Sequence, residues 1–248
     1  MHSSLVRIQN VFGFFTTVAF AVGAAIALSV LACPQSPSAS LELRNVQVVK
    51  GRPHYYSTKR EEYAHIKFDL DADLSSLFNW NTKQVFLYIT ATYPSTSPTV
   101  PDSEVVIWDA IVPAANAPKH PNVYSHPSTK AAASKQKQKR QSSKSKPYPE
   151  GAQPGILKLS SQKPKYQVTD ATGKLAERAN ATLHLRWNVQ PWVGALTWTN
   201  KVDFALWGKL DGGRSRVFDF PPLKGSEAAK KEDLKTEKGV EAHRLMVG

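Results

Sequence analysis

Cysteine is almost absent: Cys33 is the only one in 248 residues. A single thiol excludes an internal disulfide framework and any zinc site built from several cysteines. The short signatures of catalysis are missing too. No Gly-X-Ser-X-Gly elbow, no His-Glu-X-X-His pair and no phosphate-binding P-loop occurs in the chain. Seven histidines are scattered, and His184 falls on the polar side of an alternating run, where a surface histidine is a simpler assignment than a catalytic base. Asp69, Asp71 and Asp73 alternate in a way that suggests a cation site, but they lack the glycine and terminal glutamate of a calcium loop. A strand end followed by a helix cap at Asp73 is the preferred reading. No cofactor or metal is therefore expected. Acidic residues are also scarce, with 20 Asp+Glu against 32 Lys+Arg and a formal net charge of +12. Such a balance raises the question of a nucleic-acid partner.

One long charge-free run stands out. Val11 to Ala32 reads VFGFFTTVAFAVGAAIALSVLA, and as a helix at about 1.5 Å per residue it spans roughly 33 Å, enough for a hydrocarbon core of about 30 Å. A cleaved signal peptide competes with this reading, but its apolar region is usually shorter. A lipoprotein signal ending at Cys33 competes as well, with Pro34 directly after the cysteine against it. An uncleaved anchor over residues 11–32 is the favoured assignment. Ala19, Gly23 and Ala27 recur every four residues on this helix, a spacing that lets a partner helix approach closely. The flanking positive charges do not clearly orient the span. Asn180-Ala181-Thr182 is the only Asn-X-Ser/Thr sequon, and glycosylation at Asn180 would require the C-terminal region to be lumenal.

Beyond the anchor the periodicity is that of strands. Leu41–Leu43, Val46–Val48 and Ile66–Leu70 alternate apolar and polar residues, and Leu183–Val189 places Leu183, Leu185, Trp187 and Val189 on one side. Val85–Thr90 and Val105–Trp108 are more continuously apolar, as for strands covered on both faces. Tyr166–Val168, Val202–Leu206 and Val217–Phe220 are shorter candidates, and only Leu74–Phe78 looks helical. Six to eight strands without crossover helices predict an all-β fold, an antiparallel β-sandwich over residues 33–113 and 166–224. Residues 114–165 carry few large aliphatics and are expected to be a basic disordered insertion, and residues 225–248 a charged tail.

Two further features invite function. Trp80 lies in a turn and Trp192 follows Pro191 in a loop, and an indole in a loop suits a membrane interface or a partner surface. Asn79, Asn81 and Lys83 are expected to supply the polar rim of that contact. The run Lys130–Lys146 has seven Lys/Arg and no acid. It lacks the interleaved aromatics of a single-strand binder and any adjacent recognition helix, so no nucleic-acid partner is expected. Residues 114–165 hold 11 Lys/Arg and one Glu, so most of the net charge belongs to this segment and not to the predicted sandwich.

The stretch FDLDADLSSLFNWNTKQVFLYITATY (68–93) resembles subunit 3 of the eukaryotic signal peptidase complex. EVVIWDAIV (104–112) and KYQVTDATGKLAERANATLHLRWNVQPWVGAL (165–196) agree in order and spacing, as does the N-terminal anchor. The resemblance covers about residues 5–112 and 165–222, and the sequon at Asn180 sits where that family has one. It implies a single-pass type II protein of the endoplasmic reticulum membrane, with residues 1–10 cytosolic and the sandwich lumenal. It implies a non-catalytic partner of a serine-type catalytic subunit and of the other membrane subunits, meeting nascent signal-peptide-bearing proteins only indirectly. A membrane-anchored binding module without any link to signal peptides is the alternative.

Overall fold

The computed structural model describes residues 3–96, 99–115, 117, 153–198 and 210–225. Helix α1 runs Ser4–Ser29 and tightens into one 3-10 turn at Val30–Ala32. It begins before the charge-free run because nothing in residues 4–10 breaks a helix. None of its residues is buried against the rest of the chain, and an 18-residue window reaches a mean hydropathy of 2.2, long and apolar enough to cross a bilayer. Its hydroxyls are satisfied internally. Thr16 and Thr17 donate to Gly13 O at 2.8 and 2.9 Å, and Ser29 donates to Ile26 O at 2.7 Å, so these three hydroxyls need no water.

Among the described residues eight strands follow: β1 (Ser38–Gly51), β2 (Glu61–Asp73), β3 (Thr82–Tyr93), β4 (Ser103–Pro113), β5 (Ile156–Gln162), β6 (Thr182–Pro191), β7 (Thr197–Trp198) and β8 (Asp211–Gly212). They form two four-stranded sheets, in the orders β5-β2-β1-β8 and β4-β3-β6-β7. Every pairing is antiparallel except the two-residue β1–β8 contact. The all-β sandwich expected from the sequence is the architecture found.

The two alternating runs at Leu41–Leu43 and Val46–Val48 belong to one strand. Their apolar phases differ by one residue, which would turn one of them toward solvent in an unbroken ladder. A bulge between Leu43 and Asn45 resets the phase, so Leu41 and Val48 are both buried. Arg44, the extra residue, turns its guanidinium to the Asp69 carboxylate on β2.

The core lies between the sheets. β2 contributes Ala64, Ile66, Phe68, Leu70 and Ala72; β3 contributes Val85, Leu87, Ile89, Ala91 and Tyr93; β6 contributes Leu183, Leu185, Trp187 and Val189. Phe68 meets Trp108 of β4 edge-on across the gap, with ring centroids 6.0 Å apart and planes at 73°. β3 is central in its sheet but is covered less completely than its sequence suggested. Phe86 and Tyr88 stack on each other on its outer face at 5.6 Å and are only half-buried.

The structure corrects several other expectations. The segment expected as a disordered insertion over 114–165 contains a strand, because Ile156–Gln162 forms β5 and Leu157 is fully buried. β5 is an edge strand that pairs on one side only, so it needs few apolar residues and is lost in the polar average of its surroundings. It is entered through Gly155, whose φ of +94° and whose Cβ position 2.8 Å from the Leu74 backbone admit only glycine. Leu74–Phe78 forms only a 3-10 turn at Ser75–Leu77. Tyr166–Val168 and Val217–Phe220 make single bridges, Val168 to Ala64 and Phe218 to Ala181. Val202–Leu206, the run Lys130–Lys146 and residues 226–248 lie outside the described residues.

Register fixes which strand ends lie together. Ser38 pairs with Asp73 and Asp73 with Ile156; Thr82 pairs with Pro191, and Gln84 with both Pro113 and Gln190. The 3-10 turn joins β2 to β3 here, and Thr82 Oγ1 donates to Leu77 O at 2.8 Å. This is also where β1 leaves α1, so it is the anchor end of the sandwich. Tyr93, Thr182 and Asn180 mark the far end.

Candidate functional site

The anchor end gathers most of the side chains singled out in the sequence. Trp80 occupies the tip of the turn before β3 and is 59% exposed, while Trp192, just past β6, is 47% exposed. The ammonium of Lys83 sits over the Trp192 ring, 5.4 Å from its centroid, a cation–π contact that keeps the indole and the charge on one surface.

Asn81 does something else. It is 1% exposed, and its amide reads both sides of the Val193 backbone. Nδ2 donates to Val193 O at 2.7 Å, and Oδ1 accepts from Val193 N at 3.1 Å. The Asn81 carbonyl also accepts from Trp192 N at 2.8 Å, and the Asn79 side chain accepts from Asn81 N at 3.0 Å. Asn81 is therefore a buried clasp that fastens the loop after β6 to the turn before β3, and not a rim residue as expected. An amide suits this place because it offers one donor and one acceptor in a plane, as a neighbouring strand would. The two partners are 112 positions apart in the chain, so no local pattern could have revealed the clasp.

The clasped loop reaches the helix. Gly194 has φ +121°, and a Cβ there would lie 3.2 Å from the Ala27 Cβ. The small residue Ala27 thus receives the loop of its own chain. Ala19 is exposed, and a Cβ at Gly23 would meet nothing within 4 Å. Between helix and loop lies an apolar crevice of about 240 Å³, bordered by Ala27, Leu28, Val189, Pro191 and Val193, with Asn79 and Asn81 at its polar side.

The acidic alternation is already engaged. Asp69 accepts from Ser161 N at 2.7 Å and from Arg44, and those bonds hold its carboxyl below the usual range. Asp71 pairs with Lys158 at 3.7 Å. Asp73 accepts from Ser75 Oγ and Ser75 N at 2.7 and 3.0 Å, which lowers its pKa; the position before the 3-10 turn falls to Leu74, so Asp73 closes a local turn and is not the helix cap expected. Among the described residues no group of three or more His, Cys, Asp and Glu is placed to hold a metal. His184 is half-buried with Nε2 3.0 Å from the buried Thr182 hydroxyl. Burial, and then the positive charges of Arg214 and Arg186, hold its pKa below the ordinary imidazole value, so the ring stays neutral near pH 7.

Asn180 stands at the other end. It is exposed with a left-handed φ of +61°, and its N–H donates to Asp219 Oδ1 at 2.9 Å. The length of β6, at about 3.3 Å per residue, puts roughly 30 Å between it and the anchor end. Beside it, Asp170 accepts from Arg178 at 2.8 and 3.2 Å, from Thr172 N at 2.9 Å and from the Tyr93 hydroxyl at 3.2 Å.

A family model described as signal peptidase subunit matches residues 1–138 and 150–206. The chain is similar to a signal peptidase complex subunit 3 of Yarrowia lipolytica, 31% identical over 233 residues, which cover 90% of this chain and 100% of the relative. It is also similar to the subunit 3 of Gallus gallus, 30% identical over 188 residues covering 75% and 74% of the two chains. That of Homo sapiens is 26% identical over 196 residues, covering 79% and 87%. An apolar N-terminal helix leading into a two-sheet sandwich, matched along most of its length, places this chain in the signal peptidase subunit family.

Proposed function

We propose that this chain is a non-catalytic subunit of a signal peptidase complex, held by α1 in the endoplasmic reticulum membrane with its sandwich in the lumen. Family membership carries the reading. Among the described residues, Asp69, Asp73 and Asp170 each accept hydrogen bonds that hold the fold. In this role the sandwich holds a catalytic partner's site at the membrane surface, which contributes orientation and no chemistry of its own. Nascent signal-peptide-bearing proteins are met through that partner. Ala19 and Gly23 leave room on α1 for a neighbouring membrane helix.

Affinity capture after mild detergent extraction tests this. The catalytic signal peptidase subunit is expected in the eluate, and the purified chain alone is expected to leave a pre-protein uncut. An eluate without that subunit sinks the accessory role. Processing by the chain alone, abolished in His184→Ala, sinks the non-catalytic one.

Orientation has a separate readout. With Asn180 exposed and far from the anchor end, endoglycosidase is expected to raise the gel mobility of the native chain and to leave Asn180→Gln unchanged. A native band that does not shift removes Asn180 from the support for a lumenal sandwich.

A further inference from the structure

The loop that Asn81 clasps is unusual for a protein surface. Residues 192–198, WVGALTW, contain no charge, yet Trp192, Leu196 and Trp198 are 47%, 52% and 43% exposed, and Trp80 beside them is 59% exposed. Scattered apolar residues on a surface need no explanation, but several exposed within one short uncharged segment do. Trp80, Trp192 and Trp198 are of the residue type that concentrates at membrane–water boundaries, where a flat apolar ring with one polar N–H is favoured.

The height of the loop relative to the helix says what covers it. Gly194 lies against Ala27, and the uncharged run continues for five more residues, to Ala32. At about 1.5 Å per residue the contact sits roughly 8 Å inside the end of the apolar segment. A bilayer whose hydrocarbon fills that segment therefore reaches the loop, because loop and helix touch at the same depth. Two constraints hold the loop there: the Asn81 bonds to the Val193 backbone and the packing of Gly194 on Ala27. Lys83, over Trp192, is long enough to lift its ammonium toward lipid phosphates while its stem stays among the rings.

We propose that the 192–198 loop and Trp80 form a lipid-contacting edge, seated in the boundary layer of the same bilayer that α1 crosses. This edge gives the sandwich a second foothold beside the helix and so sets its tilt on the membrane. The inference rests on the reading that α1 spans a membrane, and the experiment separates the two. The full chain, carrying Cys33→Ser, receives one new cysteine at a time: Leu196→Cys in the loop, Lys174→Cys at the far end or Ala19→Cys within the helix. Each is nitroxide-labelled and reconstituted in vesicles of phosphatidylcholine and phosphatidylethanolamine. Collision rates with oxygen, which concentrates in lipid, and with a water-soluble nickel chelate are then compared.

The ratio of oxygen to nickel collisions at position 196 is expected to approach that at 19 and to exceed that at 174 several-fold. A ratio at 196 equal to that at 174, with 19 still lipid-like, overturns the lipid edge and leaves the patch for a protein partner. Water-like values at both 196 and 19 overturn the membrane-spanning reading together with the proposal.

Discussion

Asp170→Ala is expected to cost about 3 kcal/mol of domain stability, because it strips a largely covered cation of its counter-charge. The Asp170 and Arg178 side chains are only 6% and 16% exposed. The carboxylate also accepts from Thr172 and from the Tyr93 hydroxyl, so one substitution leaves several donors without their acceptor. Asp170→Asn keeps the size and one acceptor oxygen and is expected to recover part of the loss. Urea unfolding followed by intrinsic fluorescence in detergent measures both variants. A loss below about 1 kcal/mol for the alanine variant would mean that the pair behaves like an exposed one.

The same cluster sets both ends of a pH window. Burial alone would raise the Asp170 pKa, but the hydrogen bonds from Thr172, the Arg178 charge and the Tyr93 hydroxyl outweigh it and hold the carboxyl below its ordinary value. A depressed folded pKa means that the unfolded state binds the proton more readily. The contribution is complete above the unfolded aspartate value of about 4 and is lost as pH falls through the lower folded value. Tyr93 works in the opposite sense. Burial, then the Asp170 charge, pushes its hydroxyl up to about 12. Its contribution is complete below the unfolded value of about 10 and is lost as pH rises toward the folded one.

Phe68→Ala carries an expected loss of the same order, about 3–5 kcal/mol, by a different route. Phe68 is 0% exposed. It lies between Leu43 on β1 and Gln162 on β5 in the register of its sheet and meets Trp108 in the other sheet edge-on. Truncation removes the transfer energy of the ring, the aromatic contact and the packing of everything around the cavity. For a domain of this size the loss corresponds to a fall of about 10 °C in Tm. Phe86→Ala, on the half-buried outer face of β3, is the control and is expected to cost only about 1 kcal/mol. Equal losses at the two positions would contradict the placement of the core between the sheets.

What the residues disclosed before any coordinates follows from the range of each interaction. Alternation is local, so Leu183–Val189 identified its own strand and its buried face. The charge-free run showed the long apolar helix α1, and the 68–93 stretch pointed to the family. Asp73 was legible as a turn residue because its bonds reach only two residues ahead, although the cap position itself falls to Leu74. The Asn81 clasp was not, since its meaning depends on a backbone group 112 positions away. β5 escaped because an edge strand carrying Leu157 as its one fully buried side chain looks polar in any window wide enough to average over. The β1 bulge was visible only as two short runs out of phase, and pairing with β2 was needed to join them. At the anchor end the aromatic residues were found by type, whereas their common height beside Ala27 came from the fold.

The placement of strand ends has one more consequence, for how much length this architecture can absorb. β4 finishes at Pro113 and β5 starts at Ile156, both at the anchor end, and Gly155 locks the return by accepting from Leu74 N at 3.0 Å. The chain thus leaves and re-enters the sandwich at two fixed posts on one rim. Halving or doubling the connection between them changes its closure free energy by only about 0.6 kcal/mol. Neither the strand order nor the core registers the change, so this seam is where the chain can gain or shed sequence, or accept a grafted tag, and keep the same sandwich.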